Sequence, residues 1–140
     1  MRPEEWTVET LQAMLDASPA IAFLQIRVDA FDASAAEVSL SMPMRPEVER
    51  APASGMFHGG PVASLIDTAG DFAVAVAVGG GVPTMNLRVD YLRPCTGERL
   101  LATGKARRVG KSVAVVDIDV TDAKGRLCAI GRGAYASKVG

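Results

Sequence analysis

The chain has 140 residues, of which 49% are hydrophobic and 22% are charged, a balance that favours a packed domain over disorder. The formal net charge is −1, from 15 basic and 16 acidic side chains. This balance argues against the clustered basic surface on which nucleic-acid binders depend. We therefore expect a single domain over residues 1–140, with no nucleic-acid partner.

Targeting and metal-binding signals are weak. The segment MRPEEWTVETLQAML has no apolar run behind a basic end, so we expect no signal peptide and a cytoplasmic location. Asp67, Asp71 and three glycines interrupt the longest apolar stretch, so no membrane span is expected. Cys95 and Cys128 are expected to be reduced thiols. These two cysteines and the single histidine are too few ligands for a zinc site. We therefore expect neither a metal nor a cofactor.

The first half of the chain begins with a predicted helix and two predicted strands. Residues 4–17 predict a short amphipathic helix that ends before Pro19. Residues 21–31 and 36–42 predict strands, the second with alternating apolar and polar side chains. Several prolines and a glycine over residues 43–57 predict a loop. The apolar side chains that share one face of the helix are Trp6, Leu11, Met14 and Leu15.

Residues 61–78, PVASLIDTAGDFAVAVAV, are ambiguous because their second half alternates like a strand. The segment is too long for a typical strand. Pro61 suits the first turn of a helix and the glycines at 79–81 suit its end. We therefore predict one long helix, apolar on nearly all sides, which must be wrapped by other elements.

Four further strands are predicted after this helix, separated by short turns. Short connections favour antiparallel neighbours. The order of two strands, one buried helix and four strands predicts an α+β fold in which a curved antiparallel sheet wraps the helix. The four predicted strands lie within residues 84–91, 98–109, 111–122 and 126–137.

Two carboxylates interrupt the apolar helix. Asp67 and Asp71 lie four residues apart on one face, together with Ser64, and like charges at this spacing repel. Burying an unpaired carboxylate is costly. One interpretation makes this face the solvent side of the helix. The other makes a carboxylate a general base or nucleophile, and the absence of Lys, Arg and Glu between Pro61 and Val82 favours it.

The sequence His58-Gly59-Gly60 stands next to the predicted helix start. Glycine lets a substrate oxygen approach the backbone, and N–H groups at a helix N-terminus carry the positive end of the dipole. These residues therefore suit an oxyanion site for acyl chemistry. His58 is either a structural hydrogen-bonding residue of the loop or a proton shuttle.

The segments FHGGPVASLIDTAG and MNLRVDYLRP and the closing pair of strands resemble the hotdog-fold acyl-CoA thioesterases of the phenylacetate-degradation (PaaI-like) group. The resemblance runs from about residue 20 to the end of the chain. It implies homodimers that often form homotetramers, with active sites between protomers. It also implies that Asp67 is the catalytic carboxylate, that the Gly59 N–H polarises the thioester carbonyl, and that the Thr84 hydroxyl assists.

Many members of that group carry Asn or Gln about six residues before the motif histidine, where this chain has Pro52. The resemblance thus predicts hydrolysis of an acyl-CoA to a carboxylic acid and CoA, and leaves two alternatives. These are an acyl-CoA-binding module without turnover, and a dehydratase or hydratase acting on acyl thioesters. The candidate substrate contacts, with four basic residues for the CoA phosphates, are Gly60, Ser64, Asp71, Arg93, Arg107, Arg108 and Lys111.

Overall fold

A six-stranded antiparallel sheet packs around one long helix in the computed structural model, which describes residues 1–140. The strand order is β1-β2-β4-β5-β6-β3, so β1 and β3 form the two edges. The wrapped helix and α+β architecture predicted from the sequence are confirmed as a hotdog fold. The elements are α1 Val8–Ala17, α2 Pro19–Leu24, β1 Arg27–Asp32, β2 Glu37–Pro43, α3 Gly59–Val78, β3 Thr84–Tyr91, β4 Arg99–Val109, β5 Val113–Thr121 and β6 Leu127–Ala136.

Helix α3 forms the centre of the core. Eleven of its residues are buried, because β2, β4, β5 and β6 curve around the helix. This burial explains how a strand-like alternation over residues 72–78 is compatible with a helix: every side of the segment meets apolar neighbours. Gly79 ends the helix in the left-handed region, at φ 101°, where glycine is favoured.

The length and apolar character of α3 also meet the requirements for a membrane-crossing helix. This finding rests on length and composition alone, so the expectation that the chain has no membrane span stays a prediction. Core helices of folded domains meet the same requirements, and 61% of the relevant window is buried inside the protein.

The N-terminal region differs from the sequence prediction. Residues 21–24, predicted as the start of a strand over residues 21–31, instead belong to helix α2, because Pro19 occupies the first turn of this helix and Ser18 precedes it as the N-cap. Gln25 then ends α2 in the left-handed region, so the strand begins only at Arg27. The predicted helix over residues 4–17 also begins later, because the Thr7 side chain caps its N-terminus.

Candidate active site

The N-terminal end of α3, residues 58–60, is here called the amide end. His58 is the N-cap, and its backbone N–H donates to the Val48 carbonyl at 2.8 Å. The helix begins at Gly59 rather than at Pro61, so both glycines lie in its first turn. Their N–H groups have no acceptor within the protein, as expected for the first turn of a helix. Two unpaired donors at the positive end of the dipole form an anion-binding arrangement.

The His58 side chain is exposed and makes no capping hydrogen bond. The backbone N–H of His58, through its hydrogen bond to the Val48 carbonyl, connects the preceding loop to the helix. Because the imidazole is exposed and makes no capping hydrogen bond, both roles considered for His58, a structural residue of the loop and a proton shuttle, stay predictions.

Tyr91, at the end of β3, braces the amide end. Its hydroxyl donates to the Gly59 carbonyl at 2.6 Å, and a Cβ added to Gly59 would lie 3.3 Å from the Tyr91 hydroxyl oxygen. A Cβ added to Gly60 would meet nothing within 4 Å. Tyr91 therefore fills the space that a side chain at position 59 would need. The sequence analysis included Tyr91 in the segment MNLRVDYLRP but assigned it no role.

A cavity of about 370 Å³ lies beside the amide end. It combines apolar walls with two guanidinium groups, and it connects Gly59 to the predicted phosphate ligand Arg93. Its lining includes Arg50, Phe57, Val62, Tyr91, Arg93 and Cys95.

Asp67 lies in the middle of α3 and is half-buried. Its carboxylate accepts a hydrogen bond from the Thr84 hydroxyl at 2.7 Å. Thr84 is the first residue of β3, as the sequence predicted. The two residues are separated by 17 positions in the chain, and the tertiary fold brings together the pair that the resemblance implied.

Asp71, one helical turn further on, is also half-buried. Its carboxylate accepts the backbone N–H of Val82 at 3.1 Å. Burial raises the pKa of Asp71 to about 6, the negative charge of Asp67 acts in the same direction, and the Val82 hydrogen bond opposes both. The interpretation of this face as an ordinary solvent face therefore fails for Asp71. We call residues 67–71 the carboxylate segment.

Ser64, on the same face of α3, is exposed. Its hydroxyl donates back to the Gly60 carbonyl at 3.1 Å. The side chain is thus accessible between the amide end and the carboxylate segment, although the structure gives it only this local hydrogen bond.

The four predicted basic ligands do not form one cluster. Arg93 lies beside the amide end. The other three lie near the β4–β5 hairpin, at the end of the sheet where Thr84 pairs with Tyr135. Of these, Arg107 lies 3.7 Å from Asp117 in an exposed ion pair. All four side chains are exposed. Arg93 follows one end of β3 and the hairpin residues lie near its other end, so a single phosphate group cannot contact the whole set within one chain.

Within one protomer, the amide end and Asp67 are also far apart. Gly59 and Asp67 are eight residues apart on one helix, and a rise of about 1.5 Å per residue places them ~12 Å apart along its axis. Hydrogen bonds to a reacting group span about 3 Å. One thioester carbonyl therefore cannot contact both groups of the same chain.

Comparison with known proteins places the chain in a family. The family model described as the thioesterase superfamily matches residues 54–129, which include the amide end, the carboxylate segment and Thr84. The chain belongs to the thioesterase superfamily. Among its relatives, a Halobacterium salinarum protein whose name gives an unconfirmed esterase activity is 38% identical over 136 residues, covering 89% of this chain and 88% of the relative.

Two other relatives of this thioesterase-superfamily chain have names that state a substrate class. Human acyl-coenzyme A thioesterase 13 is 33% identical over 103 residues, covering 71% of this chain and 73% of the relative. The Escherichia coli medium/long-chain acyl-CoA thioesterase YigI is 36% identical over 86 residues, covering 49% and 54% respectively.

Solved structures give the same fold. A crystal structure of a thioesterase-superfamily protein has a TM-score of 0.86 and 34% sequence identity, and the match covers 94% of this chain and 98% of that one. The Escherichia coli PaaI protein from the phenylacetic acid degradation operon has a TM-score of 0.80 at 26% identity, covering 94% and 92%. The resemblance to PaaI-like hotdog thioesterases is therefore confirmed.

Proposed function

We propose that the protein is an acyl-CoA thioesterase in which Asp67 is the catalytic carboxylate. The observation that carries this proposal is the 2.7 Å hydrogen bond from Thr84 to Asp67, which holds a half-buried carboxylate on the helix that also presents two unpaired amides. Membership of the thioesterase superfamily supports thioester hydrolysis. The acyl-CoA substrate is supported by the names of two relatives.

The reaction needs a nucleophile and an oxyanion site. As a general base, Asp67 accepts a proton from water while the water oxygen attacks the thioester carbonyl carbon. As a nucleophile, it attacks the carbonyl itself, and water then hydrolyses the resulting anhydride. In both cases the Gly59 N–H donates to the developing oxyanion, the C–S bond breaks, and CoA leaves as a thiol after gaining a proton. Thr84 keeps one carboxylate oxygen oriented.

The ~12 Å between Gly59 and Asp67 along one helix supports an active site built from two chains. The amide end of one protomer would then face the carboxylate segment of its partner in a homodimer. The exposed outer edge of β3, which pairs with β6 alone, is available for such pairing because an open strand edge favours association. Two such dimers would form the homotetramer implied by the resemblance.

Substrate contacts follow from the same arrangement. Gly60 and Ser64 border the path between the amide end and the carboxylate segment, and pantetheine would pass along them. Arg93 beside the amide end, or the basic residues of the β4–β5 hairpin, would meet the phosphates of CoA. These are Arg107, Arg108 and Lys111.

A thiol-release assay over short-chain, long-chain and aryl-CoA esters tests the proposal. We expect hydrolysis of at least one class, with loss of turnover in Asp67→Asn. Loss of enoyl absorbance without thiol release would instead identify a hydratase or dehydratase. Tight acyl-CoA binding with negligible turnover in the wild-type protein would identify a binding module. This outcome would be consistent with Pro52, which stands where many members of the PaaI-like group carry Asn or Gln.

Mixing two inactive variants tests the shared site directly. Gly59→Val and Asp67→Asn each damage one half of every site. In a hybrid dimer, one site combines two damaged halves and the other combines two intact halves. A co-refolded equimolar mixture should therefore recover about a quarter of wild-type activity, since about half of the dimers are hybrids. No recovery, with hybrid dimers verified by mass spectrometry, would show that both groups act within one chain.

A further inference from the structure

We propose that Tyr135 is a positioning residue for Asp67, and that Gly70 and Gly133 form the space that admits it. This inference rests on the proposed function, since it assigns Tyr135 a role through the catalytic carboxylate. Tyr135 lies on β6, its side chain is fully buried, and the proposed reaction does not otherwise use it.

The first observation is a hydrogen bond to the backbone of Asp67. The Tyr135 hydroxyl donates to the Asp67 carbonyl at 3.1 Å. A helix carbonyl has two lone pairs and needs only one for its helical hydrogen bond, so this contact is an additional tie between the sheet and this point of α3. Burial, together with the charges of Asp67 and Asp71, raises the pKa of the Tyr135 phenol, which keeps the hydroxyl a donor.

The second observation is the register of the sheet. Tyr135 and Thr84 are directly paired across β6 and β3. Tyr135 holds the carbonyl of Asp67 and Thr84 holds its carboxylate, at 2.7 Å. Two side chains from one cross-strand pair therefore hold both ends of the same residue. This arrangement fixes the direction of the Asp67 side chain relative to the sheet rather than relative to the helix alone.

The third observation is the shape of the space around the phenol. A Cβ added to Gly70 would lie 2.0 Å from the Tyr135 hydroxyl oxygen, and one added to Gly133 would lie 2.4 Å from its ring. Both distances are far below normal contact, so the tyrosine requires glycine at each position. Glycine is unfavourable inside a helix, and the phenol accounts for its presence between Ala69 and Asp71.

Tyr135→Phe tests the inference, because it removes the hydroxyl and keeps the ring. We expect kcat to fall about 3- to 10-fold, the range for loss of one orienting hydrogen bond, with KM changed less than twofold. Ser41→Ala is the control: it also removes a buried hydroxyl that donates a hydrogen bond, here to the Asp29 carboxylate at 2.9 Å. Ser41 lies on β2, which is separated from β3 by three other strands and carries no residue of the proposed site. We expect Ser41→Ala to lower the thermal midpoint while kcat stays within twofold of wild type.

A double-mutant cycle separates positioning from general damage to the fold. In the Asp67→Asn background, Tyr135→Phe should lower the residual rate by less than twofold, because the group that it positions no longer functions. An equal loss of kcat in both backgrounds would overturn the inference. So would full activity of Tyr135→Phe, and if Asp67→Asn is inactive in that case, the proposed function stands. If Asp67→Asn itself keeps wild-type turnover, the proposed mechanism fails and the role of Tyr135 fails with it.

Discussion

The amide end and the carboxylate segment lie on the same helix, α3, but differ in whether the protein pairs their polar groups. The amide end offers backbone N–H groups that the protein leaves without an acceptor. The carboxylate segment offers side-chain oxygens, and the protein gives each aspartate a donor, Thr84 for Asp67 and Val82 for Asp71. One region is prepared to receive a negative charge. The other holds negative charges in place.

In the proposed reaction, one helix supplies both the oxyanion donor and the carboxylate, and these two groups form in different ways. A helix start has unpaired donors by geometry alone, whereas a carboxylate in the middle of a buried helix needs specific partners. In this protein the partners come from the start of β3 and the residues just before it. The unpaired donors of the amide end therefore arise from local chain geometry, although Tyr91 of β3 packs against them, whereas both carboxylates depend on donors from β3 and the residues before it.

Asp67→Asn should have the largest effect on turnover. The substitution keeps the size of the side chain and its oxygen for Thr84 but removes the base or nucleophile, so kcat should fall by about 10²- to 10⁴-fold. KM should change far less, because binding depends on other contacts. Steady-state thiol-release kinetics measure both quantities. Wild-type kcat in a correctly folded Asp67→Asn variant would refute a chemical role for the carboxylate segment.

Gly59→Val should reduce turnover by about 10²- to 10³-fold, as expected for loss of one oxyanion donor. The first added carbon would lie 3.3 Å from the Tyr91 hydroxyl oxygen, which is already a tight contact. The two methyl groups of valine would crowd the space around the amide further and should displace it. Circular dichroism should show an intact fold. Gly60→Ala is the comparison, because its added carbon meets nothing within 4 Å, and its loss of kcat should be clearly smaller. Equal losses would remove the special role of Gly59.

Asp71→Asn should have the smallest effect on turnover, a few-fold at most, and a larger effect on stability. The pKa of Asp71 is raised to about 6 in the folded protein from an ordinary 3.8. The folded state therefore binds this proton more tightly than the unfolded state, so stability falls as pH rises between these values and stays low above them. The difference of about 2 pH units corresponds to ~3 kcal/mol.

The Asn side chain can still accept the Val82 N–H and carries no charge. At pH 8, Asp71→Asn should therefore be more stable than the wild type by up to ~3 kcal/mol, with the advantage disappearing near pH 4. Urea denaturation at several pH values measures this. A gain that does not depend on pH would mean that Asp71 is not held as a buried acid.

Much of this arrangement was predictable from local sequence. The oxyanion candidates were recognisable because the glycine pair after His58 precedes a long helix that carries Asp67 nine residues after the histidine. The two aspartates were conspicuous in a segment free of basic residues. The prediction was wrong at residues 21–24, where apolar side chains suit either a strand or a short helix and the preceding Ser18 and Pro19 favour the helix. Tyr91 was missed because its contact to Gly59 spans 32 positions in the chain.

The sequence by itself determined the order of the elements apart from α2, the long apolar helix and the residue types of the candidate site, because periodicity, glycine and proline act over short stretches of chain. Only the tertiary structure decided which donor reaches which carboxylate, and that Tyr135 lies against Gly70. Those contacts depend on the pairing of β3 with β6 and on the depth at which α3 lies against the sheet. The physical reason is that hydrogen bonds and burial depend on distances in space and not on separation along the chain, and the fold alone brings residues 67, 84 and 135 together.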